Sequence, residues 1–391
     1  MTDRPVAAPE VAFSLLDDPL VRAQRALRLA PRGGFAAPRR AVLYAALAWV
    51  PIVVWAGATG QFTPPNWTTF ALHHLELHVR CLLGIPLLVL SEPLADRIMN
   101  AIVANFPASG LIRDDDQRRF ASLVAGVRRL RDSRIVWVAL CSVVALITLM
   151  AARRPLDAER EAVEWGTAAT GFGHTWALFV LRPLFLLLLL AWLWRLVVTW
   201  VLFSRIARLE LQLVPSHPDR SGGLGFVQLH PAAFSLVVLT LSSVVCASVG
   251  EQIVENRLHL GQFQGPLIAL VVLLVVVFLL PLTAFGGQLR RSRMRARFQY
   301  GTLAGRHVRG LHRRWVEGLV VEDAAIMDAP EIGPAADVAT LYELTTRMRP
   351  LPIGLQPLIS VLLPAVAPLL PVATLEIPLK DILAKVLGML T

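Results

Sequence analysis

Charge is what this sequence has least of. Asp, Glu, Lys and Arg make up 17% of 391 residues, against about a quarter in an average soluble domain. Hydrophobic residues reach 55%, and the mean hydropathy is +0.59. So little polar surface excludes a soluble domain of this length. Cysteine is scarce as well. Cys81, Cys141 and Cys246 each sit inside an apolar stretch, where a thiol behaves as a small hydrophobe, so neither a disulfide nor a cysteine metal cluster is expected. The first forty residues hold no apolar run of signal length. There is no internal repeat, Walker motif, nucleophile elbow or Ser/His/Asp set, so the signatures of nucleotide binding and serine hydrolysis are missing. No cofactor is expected.

What the chain does have is a series of apolar runs. A bilayer core needs about 20 predominantly apolar residues in a helix. Ala41–Thr59, Phe226–Val249 and Pro266–Gly287 qualify outright. Ile135–Ala152 is shorter but almost free of polar groups. Thr175–Phe203 carries Arg182 and Arg195, and Phe70–Ala95 carries His73, His74, Glu76, His78, Arg80 and Glu92. These are six expected spans. Leu351–Leu375 is apolar enough for a seventh, but it holds Pro352, Pro357, Pro364, Pro368 and Pro371. Interior prolines remove helix hydrogen bonds, so this segment is read as a span bent near Pro364 and Pro368, or as re-entrant. Ile377–Leu390 then reads as an interfacial helix, with Ile382, Leu383, Val386, Leu387 and Leu390 on one face. The expected fold is all-α: a polytopic transmembrane helix bundle of six to seven spans with amphipathic cytoplasmic helices. Its parts are a basic N-terminal segment 1–40, a six-span domain 41–287, a basic helical segment 288–350, and the proline-rich end 351–391.

Basic residues set the orientation. Loops 1–40, 96–134, 204–225 and 288–315 hold 27 Lys and Arg, whereas 60–69, 153–174 and 250–265 hold 4. The positive-inside rule then puts the N-terminus in the cytoplasm. On that side Asp18-Pro19 makes an N-cap and N1 pair for a short basic helix ending near Ala30. Phe120, Leu123, Val124 and Val127 form an apolar stripe between Asp114–Asp116 and Arg128, Arg129 and Arg131, the charge order a helix dipole favours. From Arg290 to Trp315 there are nine Arg and no acid, with Leu303, His307, Leu311 and Trp315 marking the apolar side. The run 290–297 abuts a span and lacks a recognition module, so its expected partner is anionic lipid and not nucleic acid. A homo-oligomer is compatible with all of this.

Three stretches are familiar: Ser216-His217-Pro218-Asp219-Arg220-Ser221-Gly222-Gly223-Leu224-Gly225-Phe226, the run Arg80 to Glu92, and Met348-Arg349-Pro350-Leu351-Pro352 with Leu369-Leu370-Pro371 and Ile377-Pro378-Leu379. Together they resemble a family of uncharacterised bacterial multi-pass inner-membrane proteins. The resemblance implies an inner-membrane location and brings no activity, ligand or catalytic residue.

Candidate ligand-binding residues follow from cost. An ionisable group at membrane depth is expensive, and is paired, snorkelling or functional. Glu76 and Arg80, four apart, can pair on one helix face. Glu76 and Glu92 lie about 24 Å apart along a helix, and Arg182 and Arg195 about 20 Å. Two parallel neighbouring spans then match Glu76 with Arg182 and Glu92 with Arg195. His74 and His78 face one way at i,i+4, a weak metal pair with no evident third ligand; as imidazoles they also suit a pH-sensitive patch. In the loop after the fourth span, Gly222 and Gly223 let the backbone turn tightly and leave N–H groups open to an anion, with His217 and Asp219 to orient it. The plainer reading of that loop is a tight turn capped by Asp219.

Three function classes fit: a transporter or channel, a membrane-embedded enzyme on a lipid or envelope substrate, and a non-catalytic assembly or sensory protein. A water-accessible pocket joining Arg80, Arg182 and the histidines favours transport. A compact metal site open to lipid favours an enzyme. A sealed bundle with exposed apolar cytoplasmic faces favours the third.

Overall fold

A computed structural model describes residues 13–29, 36–59, 74–153, 171–256, 258–318 and 333–374. Among them no strand occurs. Long runs of Leu, Val, Ala and Phe satisfy every backbone group within the helix, which is what a lipid environment requires. The result is an all-α bundle with seven helices long and apolar enough to cross a bilayer, an architecture that suits a multi-pass membrane protein. The first two are α2 (Ala37–Ala58) and the 34-residue run α3 (Leu75–Ala108). Next come α4 (Gln117–Arg131) leading into α5 (Arg134–Ala152), and the 35-residue run α6 (Phe172–Ile206). A 3-10 stretch Gly225–Phe234 opens α7 (Ser235–Asn256), and α8 (Gln264–Leu279) passes through Pro281 into the arginine-rich helix α9 (Gly286–Trp315). Then α10 (Gly333–Arg347) packs along α9, and α11 (Leu355–Val366) with α12 (Leu369–Ala373) forms the seventh. A short helix α1 (Pro19–Ala26) precedes them all.

Prolines decide where these helices deform. A proline lacks the N–H that would close the preceding turn, and its ring presses on the carbonyl four residues back. In α3 the turn Arg80–Gly84, just before Pro86, widens to a π-turn; in α6 the turn Ala177–Leu181, just before Pro183, does the same. Such bulges relieve the clash and are frequent at functional sites. The two spans approach closely there: a Cβ on Gly84 would sit 3.1 Å from the Phe185 ring. In the seventh span the break comes at Ala367-Pro368, while Pro364 stays inside α11. The Ser242 hydroxyl donates to the Ala365 carbonyl at 2.6 Å beside that break.

Several boundaries differ from the sequence reading, each for a packing reason. Helix α3 continues to Ala108 and not Ala95, because Met99, Ile102, Val103 and Phe106 keep one face buried. Phe106 closes this end of α3 against Phe120, Phe226 and Phe285. The α4 stripe does bury Phe120, Val124 and Val127. In α9, Leu303 of the expected apolar side is exposed, while Leu289 and Ala296 are buried and α10 packs along the helix; the side chains of His307, Leu311 and Trp315 lie outside the described residues. The N-terminal helix ends at Ala26. More important, residues 13–21 do not simply lie on the surface: Phe13, Leu15 and Leu16 are fully buried in the main core, and Val21 is buried as well. Large apolar side chains such as Ile135, Val138, Leu146 and Met150 of α5 point outward, as lipid-facing positions do. His73 and the segment Ile377–Leu390 lie outside the described residues.

Candidate functional site

Four ionisable side chains meet inside the bundle, toward one end of its long helices. Asp18 and Glu92 are 0% exposed, and Arg40 and Arg195 are 1% exposed, so no water screens them. Arg195 donates through Nε to Asp18 Oδ2 at 2.9 Å. Its Nη2 lies 2.8 Å from the same oxygen and 3.5 Å from Glu92 Oε1. Arg40 donates to Glu92 and to Gln24. Among the described residues two carboxylates stand against two guanidinium groups, a balance of charge under which such burial is tolerable. The Trp192 ring covers the Arg195 guanidinium at 4.8 Å, adding a cation–π contact. Arg195 and Glu92 are therefore brought together as the spacing predicts, but the nearer acid is Asp18. Its Oδ1 caps α1 through the Val21 N–H at 2.9 Å, which leaves Oδ2 for Arg195.

Asp18 arrives there on a segment held like a plug. Ser14 donates to Asp96 at 2.7 Å, the Leu15 N–H donates to the same carboxylate at 3.1 Å, and Arg131 donates to the Ser14 carbonyl. Arg22 pairs with Asp132 at 2.8 Å. The segment packs at the end of the bundle that holds α4 and the C-terminal half of α3.

A second polar site lies at the opposite end of the same two spans. A cleft of about 290 Å³ is lined by His74, Glu76 and Arg80 of α3, His174 and Arg182 of α6, and Glu251 of α7. Arg80 donates to Glu76 and stacks over the Phe185 ring at 5.7 Å. Glu251 Oε2 accepts the Glu76 N–H at 2.9 Å, satisfying a first-turn donor that has no partner within the helix. The expected Glu76–Arg182 pair is not made. Arg80, one turn away on the same face, takes Glu76 without any positioning of two helices, and Arg182 shares the cleft.

An apolar layer separates the two sites. Arg80 and Glu92 are 12 residues apart, about 18 Å along a helix. Ile85 and Leu88 of α3, with Phe185 and Leu188 of α6, fill that interval as part of the core. The Trp192 indole N–H crosses it to the Leu88 carbonyl at 2.9 Å.

The glycine loop is already occupied by its own chain. Asp219 accepts N–H groups of Ser221 at 2.7 Å, of Gly223 at 3.0 Å and of Gly225 at 2.7 Å. Gly222 and Gly223 take φ of 66° and 97°, which only glycine adopts without cost. His217 Nδ1 lies 3.0 Å from Asp219 Oδ1. The expectation of an open anion nest is thus corrected: the carboxylate of Asp219 is the anion. The loop serves to dock the tail, through the Arg349 N–H to the Arg220 carbonyl at 2.8 Å and Met348 against Gly222.

The His74 and His78 pair does not converge on one point. His78 Nδ1 accepts the Trp49 indole N–H at 3.0 Å, facing α2, whereas His74 lines the cleft. Among the described residues no three His, Cys, Asp or Glu side chains gather as metal ligands. Sequence reasoning missed Asp18, Gln24, Arg40, His174 and Glu251 as site residues. Asp18 was legible only as a cap, and Glu251 fell outside the span because α7 runs seven residues past Val249, to Asn256. Comparison with protein-family models, curated proteins and solved structures finds no match for this chain.

Proposed function

We propose that this chain is a membrane transporter of small polar solutes, working by alternating access in a bacterial inner membrane, with its N-terminus in the cytoplasm. One observation carries the reading: the same two spans bear an open charged cleft at one end and a sealed, charge-neutral cluster at the other, with one apolar layer between. Buried ionisable groups on broken helices mark solute pathways in membrane proteins. The outer cleft is the side that admits solute, and the segment around Asp18 is the closed cytoplasmic gate. The basic run 290–297 then rests on anionic lipid headgroups. Among the described residues the cleft holds no nucleophile beside a base, so nothing in its lining favours an enzyme reading.

The orientation has its own test. The 27-to-4 distribution of basic residues supports cytoplasmic positions for Arg28, Arg129 and Arg306 and an external one for Glu161. Cysteines at the first three positions should react with impermeant thiol reagents only after permeabilisation, and Glu161→Cys should react in intact cells. The reverse pattern inverts the topology.

The gate is tested on the full chain in liposomes, across a panel of anions, cations and protons. Asp18→Asn keeps an acceptor for the Val21 N–H but removes the charge that holds Arg195. A cysteine at Leu16, buried on the plug, should then label from the cytoplasmic side about tenfold faster, the ratio that ~1.4 kcal/mol of lost pairing produces. Unchanged labelling together with absent flux would sink the transport reading.

A further inference from the structure

We propose that the groove between α2 and α3 binds one anionic phospholipid, with an acyl chain along the groove and the phosphate on Arg39 and Arg97. The site stands apart from the transport reading and rests on shape and charge. The two helices run antiparallel, since Arg40 meets Glu92 near one end and Trp49 meets His78 nearer the other. On the outside of the bundle they border a groove of about 490 Å³. Among the described residues its lining is wholly apolar. Ala41, Ala45 and Ala46 of α2 leave a depth that larger side chains would fill, and Leu82, Pro86 and Leu90 of α3 form the facing wall. Val42 and Leu82 are 70% and 50% exposed, so the groove opens to the surroundings of the bundle and not to its core.

The dimensions are those of one acyl chain. Pro38 and Val50, at the two ends of the α2 wall, are 12 residues apart. That is about 18 Å along a helix, a little more than half of a ~30 Å hydrocarbon core. The volume is the share of about sixteen waters in the liquid, enough for one long chain and too little for two. A tail alone gives no selectivity, because the neighbouring lipid is as apolar as the groove. The head group decides, and both walls end in a cation. On α2 the row Val50, Ala46, Val42 continues to Arg39, and on α3 the row Leu82, Pro86, Leu90 continues through Leu94 to Arg97. Both arginines are exposed, and among the described residues neither pairs with a carboxylate. The Arg40–Glu92 contact puts Arg39 close to the level of Pro93. Arg97 lies four residues beyond Pro93, about 6 Å, a step that two long side chains close onto one phosphate, which a guanidinium holds bidentately. Ala36 gives α2 no side-chain cap, so the first-turn N–H groups at the same end add to the attraction for phosphate.

The test uses the full-length protein in phosphatidylcholine vesicles, with Trp49, at the far end of the groove, as reporter. Phosphatidylglycerol with brominated acyl chains is titrated in, and compared with phosphatidylcholine carrying the same chains. The signal is the part of the tryptophan quenching that Trp49→Phe removes. Brominated phosphatidylglycerol should reach half-quenching at about thirtyfold lower mole fraction, the ratio expected when two arginines each contribute their usual attraction to an anionic lipid. Arg39→Gln and Arg97→Gln should each reduce that preference about fivefold, whereas Arg39→Lys and Arg97→Lys should keep most of it. Arg129→Gln, an exposed arginine on α4, should leave it unchanged. Because the comparison of the two lipids needs no arginine variant, misfolding of one leaves the test intact. Equal midpoints for the two lipids mean ordinary surrounding lipid and overturn the proposal. So does a loss in Arg129→Gln as large as that in Arg39→Gln, which would mean a diffuse field and not a site. Ala46→Cys on a Cys141→Ser background, with Cys81 and Cys246 buried, tests for a second copy in the groove. A disulfide between two copies, together with no quenching of Trp49, also overturns it.

Discussion

Arg195→Leu should destabilise the protein by about 3–5 kcal/mol, the range for removing one partner of a buried ion pair. The reason is the state left behind. Without Arg195, the buried carboxylates of Asp18 and Glu92 have, among the described residues, the Arg40 guanidinium alone to balance them, and one negative charge is uncompensated. Hydrocarbon around the bundle makes that charge costlier still. The partner is identified by a double-mutant cycle, with unfolding followed by tryptophan fluorescence in detergent. Adding Asp18→Asn to Arg195→Leu should recover at least ~1 kcal/mol, since contacting charged pairs couple by about 0.5–3 kcal/mol. Glu92→Leu should recover less, because Glu92 lies 3.5 Å from Arg195 and is held by Arg40. Conversely, Arg40→Leu should be rescued by Glu92→Leu and not by Asp18→Asn. Equal rescue by both acids would mean that the four charges form an unstructured pool and not two directed pairs.

Asp219→Ala should cost about 3 kcal/mol, close to one for each backbone N–H it orphans. Its carboxylate is the shared acceptor of Ser221, Gly223 and Gly225. Among the described residues no other side chain accepts from those groups, and the positive φ of Gly222 and Gly223 lets the turn present them. Asp219→Asn should cost less than half as much, because one oxygen survives while the amide sets a donor against the Gly225 N–H. The loop holds the tail through Arg220 and Met348. Limited proteolysis within 345–354 should therefore accelerate in Asp219→Ala. A variant as stable as the wild type, with an unchanged proteolysis rate, would show that water replaces the carboxylate at no cost.

These two effects also mark where reading from sequence stops. The apolar runs foretold α2, α5 and the bent seventh helix to within a few residues, and the existence but not the ends of α7 and α8, because length and hydrophobicity are sums over a local segment. The Asp18-Pro19 cap of α1 and the dipole-ordered stripe of α4 were legible for the same reason: cap geometry and helix periodicity involve neighbours in the chain. Arg80 with Glu76 is likewise a one-turn contact.

Partner choice across the bundle was legible only in part. Spacing on α3 and α6 anticipated that Glu92 and Arg195 share a level, but two stronger competitors came from elsewhere in the chain. Asp18 came from a segment 177 residues away in sequence, and Arg40 from the first turn of α2. No periodicity in 1–40 announces that Phe13, Leu15 and Leu16 insert into the core, since a short irregular stretch carries no repeat to read. The same holds for Glu251, which joins the cleft only because α7 extends past its apolar run to the start of α3. By itself, then, the sequence determined that the chain is a bundle of apolar helices, and where they begin and bend. The tertiary structure alone decided which charges meet, because a buried ion pair is chosen by the competition among every acid and base that packing brings within about 4 Å.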